Sequence, residues 1–318
     1  MTGKNATAEL GADDAGIAEA ARILLGGGIV AVPTETVYGL AARADSTDAV
    51  ARIYAAKGRP DFNPLIVHVQ GTDQARALAR WDERAERLAR QFWPGPLTMV
   101  LPLGDDAGLA PAVTAGLPTV ALRSPGHPAM RAVLAQVAAP LAAPSANRSG
   151  AVSPTRAAHV LASLAGRIDA VVDGGDCAEG LESTIVALRP DGGWHLLRPG
   201  PVTEAAIAAQ IGPPGVMTGT GSEPLIEAPG QLASHYSPGK PLRLAAMSAE
   251  DDEFLIGFGP VTGHCNLSPS GDLAEAAARL YLCLHLGAAA AQPRVAVAPI
   301  PESGLGVAIN DRLRRAAV

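Results

Sequence analysis

Aromatic residues are scarce in this 318-residue sequence, only 3% of the total. So few rings, with an acidic net charge of −6, argue against a stacking platform for RNA as the main business of the chain. Cysteine is scarcer still. Cys177, Cys265 and Cys283 form no C-x-x-C and have no histidine cluster beside them, which argues against a disulfide framework or a zinc site and favours isolated core thiols. Long hydrophobic runs are also missing. Stretches such as "ILLGGGIVAVP" are broken by glycine and too short to span a bilayer. The first residues, "MTGKNATAELGADDAG", lack a basic segment followed by an apolar one, so a secretory leader is not expected. A cytoplasmic protein with no membrane partner is the expectation.

Charged residues are few as well, at 18% against 48% hydrophobic. That balance suits a globular chain with a substantial core. The negative charge divides evenly between residues 1–210 and 211–318, so neither part is a basic nucleic-acid module and any cationic function must be local. Lysine is rare within the cations: Lys4, Lys57 and Lys240 stand among 25 lysines and arginines. Arginine fills most cationic places, which marks Lys57 as a position wanting a compact ammonium.

What is present reads as α/β. Residues 1–211 alternate helical and strand periods. "DDAGIAEAARILLGGG", "STDAVARIYAAK", "DERAERLARQF", "HPAMRAVLAQV" and "SPTRAAHVLASLAG" are helices. Ser153 is expected to cap the last of these, with Pro154 at its first position. "GIVAV", "LIVHV", "LTMVLPL", "TVALR", "PLAAPS", "AVVDGG", "STIVALR" and "WHLLRPG" are strands. Many strands with few long crossovers predict an open, twisted, mixed sheet. Residues 212–241, rich in Gly, Pro, Ser and Thr, lose this periodicity and are expected to be a linker or lid. Residues 242–318 then read β, β, α, β, α, a small second α/β domain.

Four loops carry polar groups where strands end or helices begin. "VPTETVYGL" offers Thr34 and Thr36, with Gly39 allowing close backbone approach. "AKGRPDFNPLIVHV" offers Lys57, Arg59, Asn63 and, on its strand, His68. "TVALRSPGHP" begins with Thr119's strand and ends it in Arg123, where a cation is costly unless it meets a structural carboxylate or an anionic ligand. "AAPSANRSGAVSPT" groups Ala143, Ser145, Asn147 and Ser153, while Ser183, Thr184 and Arg198 follow in "GLESTIVAL" and "LLRPGP". Nothing matches G-x-x-x-x-G-K-[ST], and Ser145 does not sit in G-x-S-x-G. The residues alone reach an anion- or nucleotide-binding α/β enzyme.

These motifs, with "FWPGPLTMVL" and "DGGDCAEGLESTIV", occur in the order found in the YrdC-like domain of threonylcarbamoyl-AMP synthases. The chain resembles that family over about residues 15–210. The linker "APGQLASHYSPGKP" and the C-terminal part resemble its two-domain form. The resemblance implies a Rossmann-like second domain and a nucleotidyltransferase that joins L-threonine, bicarbonate and ATP into L-threonylcarbamoyl-adenylate and pyrophosphate. Mg²⁺ would accompany the nucleotide without a protein cage. A downstream transferase complex would carry the threonylcarbamoyl group to the tRNA adenosine beside the anticodon, and weak direct contact with tRNA is a further expectation.

Carried over residue by residue, the resemblance puts Arg59, Asn63, Thr119, Ser145, Asn147, Ser153, Arg198 and Tyr236 on ATP. It puts Thr36 (or its neighbour Thr34), His68, Arg123, Ala143 and Ser183 on threonine. Lys57 and Arg59 would neutralise charge in the reaction. "SHYSPGK" would close as a lid through His235, Tyr236 and Lys240, hinged at Gly230 and Gly239. Two other readings compete: an RNA-binding module, and a carbamoyl-transfer maturation factor, whose acylphosphatase and zinc-finger segments have no counterpart in this sequence.

Overall fold

The computed structural model describes residues 6–215, 227, 228 and 235–318. Much of the expected linker, with the Gly230 hinge, lies outside the described residues.

Ten strands build one mixed sheet. They are β1 (Ala8–Gly11), β2 (Val30–Val32), β3 (Gly39–Arg43), β4 (Ile66–His68), β5 (Leu97–Pro102), β6 (Thr119–Arg123), β7 (Leu141–Ala142), β8 (Ala170–Asp173), β9 (Thr184–Leu188) and β10 (Trp194–Arg198). Their spatial order is β1-β8-β2-β3-β7-β4-β6-β5-β9-β10. Parallel pairs such as β4/β6 and β5/β9 alternate with antiparallel ones such as β5/β6 and β9/β10. Strand β3, "GLAAR", has no β-branched residue and was not expected from the pattern. It is fully buried through Ala42 and hydrogen-bonded between β2 and β7, so tertiary pairing overrides weak propensity.

Helices cover both faces: α1 (Asp14–Leu25), α2 (Thr47–Lys57), α3 (Thr72–Leu78), α4 (Glu83–Phe92), α5 (Pro111–Thr114), α6 (Pro128–Val137), α7 (Ala157–Leu164) and α8 (Glu204–Ile211). Separate apolar clusters, one around Leu40, Val67 and Leu122 and one around Leu24, Val133 and Val172, fill the two sides. Helix α2 is capped by Ser46, whose hydroxyl accepts from the Ala49 N–H, and ends at Gly58 in the left-handed region. That turn carries the chain directly into the loop bearing Arg59.

One boundary differs from expectation. Helix α7 starts at Ala157, not at a Ser153 cap. The Ser153 hydroxyl donates instead to Glu182 at 2.6 Å, and the Pro154 carbonyl accepts from the Tyr38 N–H at 2.8 Å. Both contacts hold residues 153 and 154 away from the helix.

The C-terminal part forms a second, four-stranded sheet. It comprises β11 (Leu242–Arg243), β12 (Glu253–Gly257), β13 (Cys265–Asn266) and β14 (Arg294–Val297), with helices α9 (Leu273–Ala289) and α10 (Leu305–Ala316). Its order is β11-β14-β12-β13 and every pairing is parallel. The two-residue β13 is too short to show a period. The apolar core of this unit also takes in Val37, Val152 and Leu181 from the first, so the two share a packed contact. Among the described residues no helix is long and apolar enough to cross a membrane.

Candidate functional site

Strand register builds the first part of the site. Strands β4 and β6 run parallel with His68 opposite Arg123, so the two side chains share one face of the sheet. Both are buried, at 2% and 3% exposure. Among the described residues, neither ring nitrogen of His68 meets a hydrogen-bond partner. Burial, with the Arg123 charge beside it, pushes the imidazole down to about 3, so it is neutral.

Arg123 is already engaged. Its Nη2 donates to Glu35 Oε1 at 2.6 Å and its Nε to the Gly95 carbonyl at 3.3 Å. Glu35 also accepts from the Gly126 N–H at 2.9 Å. Burial alone would raise the Glu35 carboxyl, but Arg123 outweighs it and keeps the group ionised below its usual range. A structural ion pair therefore exists at Arg123, and the same guanidinium still lines the cavity.

The turn after β2 presents two hydroxyls. Thr34 Oγ1 donates to the Val37 carbonyl at 2.6 Å, which uses its single proton. In the 2.8 Å contact between Thr34 and Thr36, Thr36 is therefore the donor. Thr36 Oγ1 keeps acceptor capacity for a ligand, whereas Thr34 serves the turn.

The cationic side comes from two other loops. A bulge between Leu196 and Arg198 interrupts the β9/β10 ladder and turns Arg198 inward. Arg198 donates from Nε and Nη2 to the Ser183 carbonyl, at 3.0 and 2.9 Å, and from Nη2 to Ser183 Oγ at 3.1 Å. Ser183 Oγ is held in turn by Thr98 Oγ1 at 2.7 Å. Arg59 donates to Asn63 Oδ1 at 2.6 Å and to the Pro64 carbonyl at 2.8 Å. Burial brings its guanidinium down to about 10, still cationic at neutral pH.

Thr34, Thr36, Arg59, His68, Arg123, Ala143, Ser145, Ser183, Arg198 and Tyr236 converge on one cavity with about 530 Å³ of empty space, open solvent included. Five of the residues expected on ATP or in the reaction do not line it. Asn63 orients Arg59. Asn147 donates to the Arg148 and Ala151 carbonyls. Ser153 faces Glu182. Thr119 lies at the start of β6, paired with Pro102.

Lys57 is the fifth and the most instructive. It was expected to point its charge at the triphosphate. Its Nζ instead donates to the Ser145 and Asn147 carbonyls, both at 2.5 Å. A buried ammonium with no carboxylate in reach among the described residues takes the nearest carbonyls. Here it fastens the end of α2 to the loop carrying Ser145, and desolvation, helped by Arg59, pulls its pKa well below the usual lysine range.

The segment from His235 to Lys240 closes one side. His235 and Tyr236 line the cavity with their rings edge to face, 4.3 Å between centroids. The His235 N–H donates to the Arg315 carbonyl at 3.0 Å and the Ser237 N–H to the Gly150 carbonyl at 2.8 Å. Between these anchors Tyr236 is held at φ 66, a conformation that bulky residues adopt only when their surroundings impose it. The Tyr236 hydroxyl and His235 Nδ1 are buried without partners among the described residues. Lys240, expected to take part in the lid, donates to the Gly287 and Ala290 carbonyls at the end of α9.

Sequence reasoning missed Glu182, which lines the cavity beside Ser183. Its signal was adjacency within "GLESTIV". Glu182 accepts from Ser153 Oγ at 2.6 Å, Tyr281 Oη at 2.7 Å and Arg312 Nε at 2.9 Å. Burial favours its neutral form, but Arg312 and then Arg198 overcome that and hold the carboxyl at about 2.

Residues 22–200 match the family model described as "Telomere recombination", and residues 202–318 match "Threonylcarbamoyl-AMP synthase, C-terminal domain". The chain is 48% identical over 254 residues to a threonylcarbamoyl-AMP synthase of Bacillus subtilis (strain 168), covering 79% of this chain and 72% of that one. It is 37% identical over 322 residues to the Pyrococcus abyssi (strain GE5 / Orsay) protein of the same name, covering 94% and 93%. The crystal structure of P. abyssi Sua5 complexed with L-threonine aligns with a TM-score of 0.86 at 34% identity, over 98% of this chain and 97% of that one.

Proposed function

The chain belongs to the threonylcarbamoyl-AMP synthase family in its two-domain form, and we propose that it condenses L-threonine, bicarbonate and ATP into L-threonylcarbamoyl-adenylate with release of pyrophosphate. The enzymes of this family are synthases of the nucleotidyltransferase type. The observation that carries the substrate assignment is a neutral His68, with no hydrogen-bond partner among the described residues, beside Arg123 in a cavity that Arg59 and Arg198 also line. One end suits an amino acid and the other a polyphosphate.

In this reading Arg123, steadied by Glu35, pairs with the threonine carboxylate. The Thr36 hydroxyl and a lone pair of His68 accept from the amine. The neutral amine attacks the carbon of bicarbonate, water leaves, and a carbamate forms. A carbamate oxygen then attacks the α-phosphorus of ATP and the bond to the β-phosphate oxygen breaks, expelling pyrophosphate. Each step brings anions together, so positioning and charge neutralisation do most of the work. Arg59 and Arg198 supply the neutralising charge, with Asn63 and Ser183 fixing their direction. Lys57 contributes by holding the Ser145–Asn147 loop. Ser145 and Tyr236 would meet the nucleotide, and the ring pair His235/Tyr236 would keep water from the mixed anhydride.

The described residues contain no group of histidines, cysteines and carboxylates arranged to hold a metal. Glu35 and Glu182 are committed to arginines. Mg²⁺, arriving with ATP, would add neutralising charge at the phosphates. Residues 1–211 would carry the catalysis, with 242–318 as the second domain. The product's labile anhydride suits hand-over to a transferase acting on tRNA in the cytoplasm. The test is product identification: with ¹³C-bicarbonate, threonine and ATP, mass spectrometry should find a threonylcarbamoyl-adenylate that carries the label. An unlabelled adenylate, or none, would refute the proposal.

A further inference from the structure

Glu182 is an anomaly in a cavity suited to polyanions. An ionised carboxylate in the lining repels ATP unless a cation beside it cancels the charge. The direct ionic contact comes from the other sheet's unit, through Arg312 on α10, with Nε 2.9 Å from Glu182 Oε2. Arg312 is 0% exposed, and its Nη1 holds Asp311 at 2.6 Å while Nη2 has no partner among the described residues. The same guanidinium sits 5.5 Å from the centroid of the Tyr236 ring, with Arg315 5.1 Å from it. Tyr281 on α9 donates to Glu182 as well.

The backbone confirms that α9 is meant to sit close. Gly180, two residues before Glu182, has φ +66, and a Cβ there would lie 2.4 Å from Ala278 Cα and 2.6 Å from the Ala277 carbonyl oxygen. Only glycine tolerates both the conformation and the approach. The loop that places Glu182 is thus built against the second unit.

We propose that Arg312 is a positioning residue for the nucleotide cavity. By neutralising Glu182 and bracing Tyr236, it makes ATP binding depend on docking of the C-terminal unit. This rests on the nucleotide reading above. The second unit then completes the electrostatics of the first, and undocking would leave Glu182 with the Ser153 hydroxyl but without its direct ionic partner, facing the phosphates.

The test is ATP binding by calorimetry to the full chain, in wild type and in the variants R312M, E182Q and E182Q/R312M. R312M should weaken ATP by about tenfold or more, and E182Q/R312M should recover to within about threefold of wild type. E182Q alone keeps the shape and the acceptor for Arg312, so it should bind ATP at least as tightly as wild type. Threonine affinity, read in the same samples, should move less than ATP affinity. Undiminished binding by R312M would overturn the proposal, as would a folded double variant that stays weak, because Arg312 would then be structural only. If R312M fails to fold, E182Q decides: weaker ATP binding there contradicts the charge argument. Wild-type protein that binds no ATP would refute the nucleotide reading itself, and this proposal with it, a result distinct from failed rescue.

Discussion

Replacing Arg123 separates two roles that one residue holds together. Its side chain is 4% exposed and that of Glu35 14%, with 2.6 Å between Nη2 and Oε1. Unit charges about 4 Å apart at an effective dielectric of about 20 attract by about 4 kcal/mol. Removing one partner of such a buried pair costs about 3–5 kcal/mol, because the other charge is stranded. In Arg123→Ala, Glu35 would keep the Gly126 N–H but lose its cation. Stability should therefore fall by about 3 kcal/mol or more, read as a lower urea midpoint. Lost threonine binding in that variant would be ambiguous. The double variant Glu35→Gln/Arg123→Ala resolves it. The amide oxygen that replaces the carboxylate can still accept from the Gly126 N–H and strands no charge, so most of the stability should return. Threonine affinity should stay weakened by about 2–4 kcal/mol, about thirtyfold or more, since the carboxylate has lost its cation. Wild-type threonine affinity in the double variant would refute the assignment of Arg123 to the substrate.

Lys57→Met should lower turnover by about tenfold or more, through loosening of the Ser145–Asn147 loop rather than loss of a contact to ATP. Hydrogen exchange should rise at residues 145–149, and unchanged exchange with lost activity would return Lys57 to a direct role. Gly180→Ala should cost about 1–3 kcal/mol and should separate α9 from the first unit, measured as a lower melting temperature with faster proteolysis between the units; a neutral result would show that the approach of α9 is soft. Stability should also decline in acid. His68 and His235 are each held near 3 by burial, against an ordinary 6.5. Depressed folded values mean that the unfolded chain takes up protons first, so stability is full above about 6.5 and falls towards 3, by about 1.4 kcal/mol per histidine per pH unit. A flat urea midpoint between pH 7.5 and 5 would contradict this.

Much of this site could be read in the sequence, and the exceptions have physical causes. Arg123 at a strand end stood out as a cation needing a partner, and His68 as a lone histidine on an apolar strand. Their adjacency did not, because strand order β7-β4-β6-β5 is a tertiary fact that no local period encodes. The loops bearing Thr36, Arg59, Ser145 and Ser183 were recognisable as motifs, and all four residues meet in one cavity. Lys57 and Ser153 went elsewhere because the partners that claimed them, two carbonyls and Glu182, lie far off in sequence. The mixed α/β class was legible from alternating periods. Strand β3 was not, since alanine and glycine carry little strand signal. Glu182 was hidden by its company: a single acid within a cationic set gains meaning only once Arg312, 130 residues away, is seen beside it.

The central claim is that one cavity brings threonine, bicarbonate and ATP to a single reaction. Pyrophosphate release tests it most directly, measured with all three present and with each omitted in turn. The account predicts release only with the complete set, and loss of the signal on any single omission. Equal release without threonine or without bicarbonate would show simple ATP cleavage and contradict it.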